Sequence, residues 1–227
     1  MKTLIIIPAY NEQDNIERVV NNLIDNYPQY DYVIINDGSK DNTESICEAR
    51  GYNFISHPVN LGLAAAFQTG MKYALKNNYD AAIQFDGDGQ HNPEYIMPML
   101  EKLQEGCNIV IGSRFVENKK PKSMRMFGNN LIGIAVWLTT GKRINDTTSG
   151  MRLFDKNMIR HLAEENDLGP EPDTVSLLIK KGAKVSEVQA NMNDRIAGES
   201  YLTFTKSIHY MMRMLVSILI LQWFRKG

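Results

Sequence analysis

The chain has 227 residues, 43% of them hydrophobic, which is enough to bury a core in one large domain or two small ones. Its formal net charge of −1 gives no overall attraction to nucleic acid, so nucleic acid is not expected as a partner, and any attraction to a membrane must be local. The two cysteines form no metal or redox motif, and the four apolar residues at 4–7 are too few to predict a signal peptide.

Apolar runs alternate with helical patterns through the first half of the chain. The runs predict buried strands at residues 4–7, 31–36, 53–56, 81–85 and 108–111. Helices are predicted at residues 12–26, after the turn at 37–43, after Gly62 and at residues 93–105. This alternation indicates an α/β fold, with a mostly parallel, Rossmann-like sheet covered by helices on both faces.

Polar clusters follow four of the predicted strands. They are Tyr10-Asn11-Glu12, Asp37-Gly38-Ser39, Asp86-Gly87-Asp88 and Ser113-Arg114. Ligands of parallel sheets bind outside the carboxyl ends of the strands, so all four clusters should face one crevice. Any one of them could be a helix cap and nothing more, but four at one edge indicate a binding site.

The stretch Asp86-Gly87-Asp88-Gly89-Gln90-His91 directly follows an apolar run. Two carboxylates on one turn repel each other, and a cation relieves that repulsion. Oxygen ligands favour a hard divalent ion, here Mg2+ or Mn2+, with positions left open for a substrate's phosphates. The alternative is an acidic surface turn, because Asp and Gly are common turn residues.

Six motifs stand in one order along the chain: Pro8-Ala9-Tyr10-Asn11-Glu12, Asn36-Asp37-Gly38-Ser39-Lys40-Asp41, Asn60-Leu61-Gly62, Asp86-Gly87-Asp88-Gly89-Gln90-His91, Gly112-Ser113-Arg114 and Asp146-Thr147-Thr148-Ser149-Gly150-Met151-Arg152. Over about residues 3–200 the chain resembles glycosyltransferase family 2, most closely its dolichol-phosphate-mannosyltransferase-like branch, of bacterial polysaccharide or cell-wall type. The resemblance implies a GT-A fold, a UDP- or GDP-linked sugar donor, a divalent metal and inversion at the anomeric carbon.

The resemblance also implies roles for individual residues. The residues implied in nucleotide binding are Pro8, Tyr10, Glu12, Asp37, Asp86 and Gly87. Those implied in binding the metal and the diphosphate are Asp86, Asp88 and Gln90. Acceptor binding falls to Arg114, Arg125, Ser149 and Arg152, and a loop over the donor carries Arg195 and Ser200. Asp88, Arg114, Asp146 and Asp173 are the catalytic candidates. Leu63 and Tyr201 stand where relatives often carry Lys, which removes two cations from the donor side.

The second half leaves the acceptor class open. A helix predicted at residues 124–140 is either core or a wall for a lipid-like acceptor. Glu171 and Asp173 precede another predicted helix, at residues 174–181, and Asp173 is either a base or a helix N-cap. An acceptor hydroxyl needs a base, whereas an acceptor phosphate does not.

The tail at residues 201–227 is predicted to form an amphipathic helix. Its apolar stretch at 211–224 falls short of the roughly 20 residues needed to span a bilayer. Lys206, His209, Arg213 and Ser217 share one predicted face, and Leu202, Met212, Leu215 and Leu219 the other. Such a helix lies in a membrane interface, or docks on the domain or on a second copy of the chain in a homo-oligomer.

We therefore expect a GT-A domain at residues 1–200 and a membrane-interface or oligomerisation helix at 201–227. The expected activity is metal-dependent, inverting sugar transfer to a polyprenyl phosphate or lipid-linked glycan, in cell-surface polysaccharide synthesis at the cytoplasmic, inner face of the membrane. One alternative is transfer to an acceptor hydroxyl, with Asp173 or Glu171 as base. The other is a catalytically silent subunit that binds a nucleotide-sugar.

Overall fold

The computed structural model describes residues 1–165, 167–193 and 204–224, without the side chains of residues 125 and 204–206. The strands are β1 (Thr3–Ala9), β2 (Asp31–Asn36), β3 (Phe54–Ser56), β4 (Ala81–Gln84), β5 (Ile109–Ser113), β6 (Arg152–Asp155) and β7 (Val185–Gln189). The helices are α1 (Ile16–Asn26), α2 (Thr43–Arg50), α3 (Leu63–Lys76), α4 (Ile96–Gln104), α5 (Met124–Thr140), α6 (Lys156–Glu164), α7 (Pro172–Lys180) and α8 (Phe204–Leu219).

The seven strands form one sheet in the order β3-β2-β1-β4-β6-β5-β7. Strand β6 runs antiparallel to both of its neighbours, and every other pairing is parallel. The prediction of a mostly parallel α/β sheet is therefore confirmed. The carboxyl ends of β1, β2, β4 and β5 meet at one edge, and the reversed β6 brings its N-terminal end to that same edge.

Strand β1 shows why the central strands are apolar throughout. Leu4 and Ile6 belong to a core cluster on one face of the sheet, and Ile5 and Ile7 to a second cluster on the other. Successive side chains point to opposite faces, so a strand covered on both sides needs apolar residues at every position. On one side α3 comes so close that a Cβ at Gly70 would lie 2.3 Å from Ile6 Cγ2.

Several predicted boundaries are wrong. Helix α1 begins at Ile16, because the carbonyl of Glu12 accepts the N–H groups of Asn15 and Ile16 in a preceding turn. The helix predicted to begin at residue 93 starts with a 3-10 turn, Pro93–Tyr95, before α4. Helix α7 begins at Pro172, since proline at a first helical position loses no hydrogen bond. Glu171 is thus the N-cap, and the predicted N-cap Asp173 lies in the first turn.

Helix α8 packs against α5 and α7. Its buried residues are Met214, Ser217 and Ile218, whereas Met212 and Leu219 are exposed. For the residues that the structure describes, the predicted division into a polar and an apolar face is wrong, because Ser217 has a buried partner across the interface, Asp173 (Oγ to Oδ2, 2.5 Å). Leu202 and the side chain of Lys206 lie outside the described residues. Among the helices in the described residues, none is both long and apolar enough to cross a bilayer.

Candidate active site

A short turn after β4 carries the paired carboxylates. The N–H of Phe85 donates to the carbonyl of Ile6 (2.9 Å), and the chain then leaves the sheet. The buried ring of His91 closes the turn from within: its Nδ1 accepts the backbone N–H of Asp86 (2.9 Å), and it packs edge-on against Phe85 at 5.4 Å between centroids. The side chain of Asp86 stays 39% exposed, so its carboxylate is available to a ligand.

The chemistry of this turn fits a hard divalent cation such as Mg2+ or Mn2+. Asp88 Oδ1 accepts the backbone N–H of Gln90 (3.0 Å), which keeps both carboxylates and an amide on one turn. A Cβ at Gly150 would stand 3.0 Å from Asp86 Oδ2, so glycine keeps the space beside that carboxylate open. No three acidic, His or Cys residues gather as a metal site in the described part of the chain. The turn thus offers the exposed carboxylate of Asp86, with buried Asp88 and the amide of Gln90 next to it in the chain, and a bound cation would complete its shell with other oxygens.

Arg114, the first residue after β5, is locked onto Asp146. Its Nε donates to Oδ2 at 2.7 Å, its Nη2 to Oδ1 at 2.8 Å, and its backbone N–H to Oδ2 at 3.2 Å. A two-pronged pair of this kind fixes the plane of the guanidinium group. The remaining nitrogen, Nη1, has no hydrogen-bond partner among the described residues.

Asp146 serves as a buried, ionised anchor. Asn129 Nδ2 donates to its Oδ1 (3.1 Å), and Glu187 accepts its backbone N–H (2.9 Å). Burial acts to raise the pKa of Asp146, but the hydrogen bonds and charge of Arg114 outweigh burial, and the pKa is lowered. A fully buried carboxylate with a lowered pKa is a poor proton acceptor at neutral pH. Its role in this geometry is to hold Arg114.

The segment between α5 and β6 joins the two halves of the site. Asp146 holds Arg114 at one end, Ser149 Oγ donates to the carbonyl of Gly112 (2.5 Å), and Gly150 lies against Asp86. This segment reaches the carboxyl edge because β6 is reversed. The acidic turn and the guanidinium group are therefore built around one continuous piece of chain.

An open cleft of about 620 Å³ lies beside the ends of β1, β2 and β3. It is lined by Tyr10, Gly38, Ser39, Lys40, Glu44, Ser56, His57, Pro58, Val59 and Asn60. Asp37 is buried behind one wall, where it accepts the N–H groups of Leu61 (2.9 Å) and Gly62 (2.7 Å) and pairs with His57 Nδ1 (2.8 Å). Asp37 thus shapes the cleft through the loop at 57–62.

A sequence model described as "Glycosyl transferase family 2" matches residues 4–163. The chain belongs to this family. A UDP-N-acetylglucosamine–dolichyl-phosphate N-acetylglucosaminyltransferase of Methanococcus voltae is 35% identical over 182 residues, 71% of this chain and 72% of the relative. A polyprenol monophosphomannose synthase of Mycolicibacterium smegmatis is 25% identical, covering 89% of this chain and 81% of the relative.

The fold is the GT-A fold of glycosyltransferases. A mannosyltransferase from Pyrobaculum calidifontis, solved with GDP-Man and Mn2+, superposes with a TM-score of 0.68 at 16% identity, over 100% of this chain and 65% of the other. The chain is therefore a family 2 glycosyltransferase with a GT-A fold, as the sequence motifs predict.

Some of the predicted site residues lie at the edge of the sheet where the carboxyl ends of the parallel strands meet, and others lie behind that edge. Tyr10 lines the cleft, and Asp86 and Arg114 reach the crevice. Pro8 and Gly87 abut one another, since a Cβ at Gly87 would lie 3.2 Å from the Pro8 carbonyl. Glu12 lies in the turn before α1, where its backbone N–H donates to Thr43 Oγ1 (2.9 Å).

Two predicted acceptor ligands are buried and already bonded. Ser149 donates to a backbone carbonyl, and Arg152 donates to the carbonyls of Thr147 (2.9 Å) and Pro170. Both are positioned to support the segment that carries Asp146 rather than to meet a ligand at the surface. The side chain of Arg125, and Arg195 and Ser200 entirely, lie outside the described residues.

The acidic candidates at the start of α7, Glu171 and Asp173, face α8. Asp173 is buried, and its backbone carbonyl accepts Gln222 Nε2 (2.7 Å) in addition to the Ser217 contact. Glu171 Oε1 lies 3.4 Å from Arg213 Nη2. Burial, reinforced by the charge of Asp173, raises the pKa of Glu171.

Sequence reasoning assigned no role to three residues that organise the site. They are His91 under the acidic turn, His57 beside Asp37, and Asn129 on Asp146. His91 lies inside a quoted motif, and Asn129 is a polar residue within an apolar helix, so each left a weak signal. His57 and Asn129 bond to residues 20 and 17 positions away in the sequence, and no pattern marks His91 Nδ1 as the acceptor of the Asp86 N–H, so the contacts follow only from the fold.

Proposed function

We propose that this glycosyltransferase moves a sugar from a UDP- or GDP-linked donor to the phosphate of a polyprenyl phosphate, with inversion at the anomeric carbon. The observation that carries the proposal is the guanidinium of Arg114, fixed by buried Asp146 with one nitrogen left open, on the same segment whose Gly150 lies against Asp86. A rigid arginine fork of this kind suits a phosphate.

The reaction balances without a proton acceptor. An oxygen of the acceptor phosphate forms a bond to the sugar's anomeric carbon, and the bond from that carbon to the donor diphosphate breaks. The electron pair leaves with the nucleoside diphosphate. The acceptor phosphate enters as a dianion and leaves as a singly charged diester. Asp146, with its lowered pKa, and Asp173, buried against α8, are accordingly not needed as bases.

Mg2+ or Mn2+ is the proposed cofactor, with Asp86, Asp88 and Gln90 as its protein ligands. When bound, the ion supplies positive charge to the departing diphosphate. The mixture of carboxylate and amide oxygens supports this choice, as does the Mn2+ in the solved mannosyltransferase. Cleft-lining Tyr10, Ser39 and His57 are proposed to bind the nucleoside, on a wall that Asp37 braces.

A lipid acceptor is supported by the activities for which both relatives are named and by the apolar surface of the helices. Helices α5 and α8 lie side by side, and each exposes large apolar side chains. These are Phe127, Ile134, Trp137 and Leu138 on α5, with Met212, Val216, Trp223 and Phe224 on or after α8. Such a surface supports peripheral contact with a membrane. We propose that this contact is with its inner face and serves cell-surface polysaccharide synthesis.

Glu171 favours a second candidate function. Its raised pKa and partial exposure are properties of a general base, which would serve an acceptor hydroxyl. Transfer to a polyprenol would support that candidate.

A donor screen tests the proposal. Nucleotide release from UDP- and GDP-sugars is measured with Mn2+ or Mg2+, with and without polyprenyl phosphate. We expect one donor class to release nucleotide in proportion to the polyprenyl phosphate supplied. Nucleotide binding without release or transfer would instead favour a catalytically silent subunit.

A further inference from the structure

A second cation lies beside Arg114. The loop between β5 and α5 returns Lys120 to the aromatic ring of Phe115, with Nζ 5.7 Å from the ring centroid. Arg114 Cζ lies 5.2 Å from the same centroid. Both distances are within the range at which a cation interacts with an aromatic ring. One ring thus holds two positive groups near each other at the strand-end edge.

Adjacent asparagines on α5 support the two cations separately. Asn129 donates to Asp146, which in turn holds Arg114. Asn130 Oδ1 accepts a hydrogen bond from Lys120 Nζ at 2.8 Å. The ammonium group of Lys120 has three N–H donors. One of them is used in a hydrogen bond with the described residues. Both cations therefore keep donors for a ligand.

The ammonium group of Lys120 is partly buried, so an anion bound there would replace some of its lost solvation. Partial burial lowers the pKa of Lys120, nearby Asp146 and Glu187 act against this, and the charge of Arg114 adds to the lowering. Asp146 is already bonded to Arg114 through both oxygens. An incoming anion would relieve the repulsion between the two cations.

We propose that Lys120 is a second phosphate-binding residue, which with Arg114 binds the acceptor phosphate as a dianion and holds the phosphodiester product less tightly. This inference rests on the proposed function. A phosphate monoester carries close to two negative charges above its second pKa of about 6. The reaction removes one of them, so a site with two cations prefers the acceptor over the product. Phe127 and Ile134, about one helical turn on either side of Asn130, are exposed on α5, and the lipid chain of such an acceptor would run along them.

The test uses two soluble probes that differ by one charge. Dodecyl phosphate and its methyl diester are titrated into the full chain by calorimetry at pH 8, below their micelle concentrations. We expect the wild-type protein to prefer the monoester. Lys120→Met should weaken monoester binding about tenfold, the effect of losing one charge-assisted hydrogen bond, and diester binding much less. Lys120→Arg should restore most of the preference.

Lys119→Met is the matched control, because Lys119 is exposed in the same loop and has no hydrogen bond or ion pair with the described residues. It should leave both affinities unchanged. The inference is overturned if Lys120→Met keeps the wild-type preference, or if it weakens nucleoside diphosphate binding equally. Failure of the proposed function is distinguishable: the wild-type protein would then transfer no sugar to polyprenyl phosphate, whatever Lys120 does.

Discussion

At the scale of single residues, we propose that some side chains of the site contact the ligand and that others hold those side chains in place. Arg114 is exposed enough to bind a phosphate, and Asp146 beneath it is buried and saturated with donors. Breaking a buried ion pair by removing one charge typically costs about 3–5 kcal/mol. The contribution of Asp146 to stability should therefore be large and should depend on pH.

For Asp146→Asn we expect a loss of about 3 kcal/mol in the free energy of unfolding at pH 7, with impaired acceptor use. The folded pKa of Asp146 lies below its unfolded value, near 3.9, so its contribution is complete above that value and disappears as pH falls through the folded pKa. Urea unfolding at pH 7 and at about pH 3 should show the difference from wild type shrinking in acid. Asp25→Asn, at an exposed site, should show little difference at either pH. A pH-independent difference would contradict the ionised-anchor role.

Asp88→Asn should abolish most activity while leaving the fold intact. Asparagine keeps an oxygen to accept the Gln90 N–H but removes one of the two repelling charges. Turnover should fall about a hundredfold or more, because a charge-stabilising group is lost from the site. Unfolding temperature should hold or rise slightly. Wild-type turnover by the variant, or full activity of wild-type protein in excess chelator, would refute the metal role.

Elements differ in how well the sequence predicts them, and the reason is burial. Strands β1 and β4 could be predicted because both faces are covered and nearly every residue is apolar, the exceptions being Thr3 and Gln84 at the strand ends. Strand β6 escaped prediction because it begins with a buried arginine, and β7 because its Val-Ser-Glu-Val-Gln sequence is only partly buried. The strand-end clusters were predictable from the parallel sheet, whereas the pairing of Arg114 with Asp146 depends on the reversed β6.

Helix α8 is part of the core as well as of the apolar surface. We expect deletion of residues 211–227 to cause aggregation and loss of nucleotide affinity, because Met214 and Ile218 belong to the main hydrophobic cluster. Met212→Ser combined with Phe224→Ser changes exposed positions only, and should keep the unfolding temperature while reducing binding to anionic lipid vesicles. A deletion that stays monomeric and binds nucleotide would show that α8 is dispensable. Unchanged vesicle binding by the double variant would contradict a membrane-binding role for the apolar surface of α5 and α8.

At the scale of the whole molecule, one sheet edge gathers three chemically different regions. The cleft that we propose for the nucleoside adjoins the ends of β1 and β2, the acidic turn follows β4, and the anchored arginine follows β5. Beyond the arginine, α5 and α8 expose apolar side chains. This order suits a polar donor at one end and an amphiphilic acceptor, with its phosphate in the middle, at the other.

The most direct measurement compares two acceptors that differ only in the phosphate. Purified protein, the preferred nucleotide-sugar and Mn2+ are incubated with polyprenyl phosphate or with the matching polyprenol, and products are identified by mass spectrometry. We predict a glycosyl phosphodiester from polyprenyl phosphate and no product from the polyprenol. Glycosylation of the polyprenol at a comparable rate, or no transfer to the phosphate with any UDP- or GDP-sugar, would contradict phosphate-directed transfer.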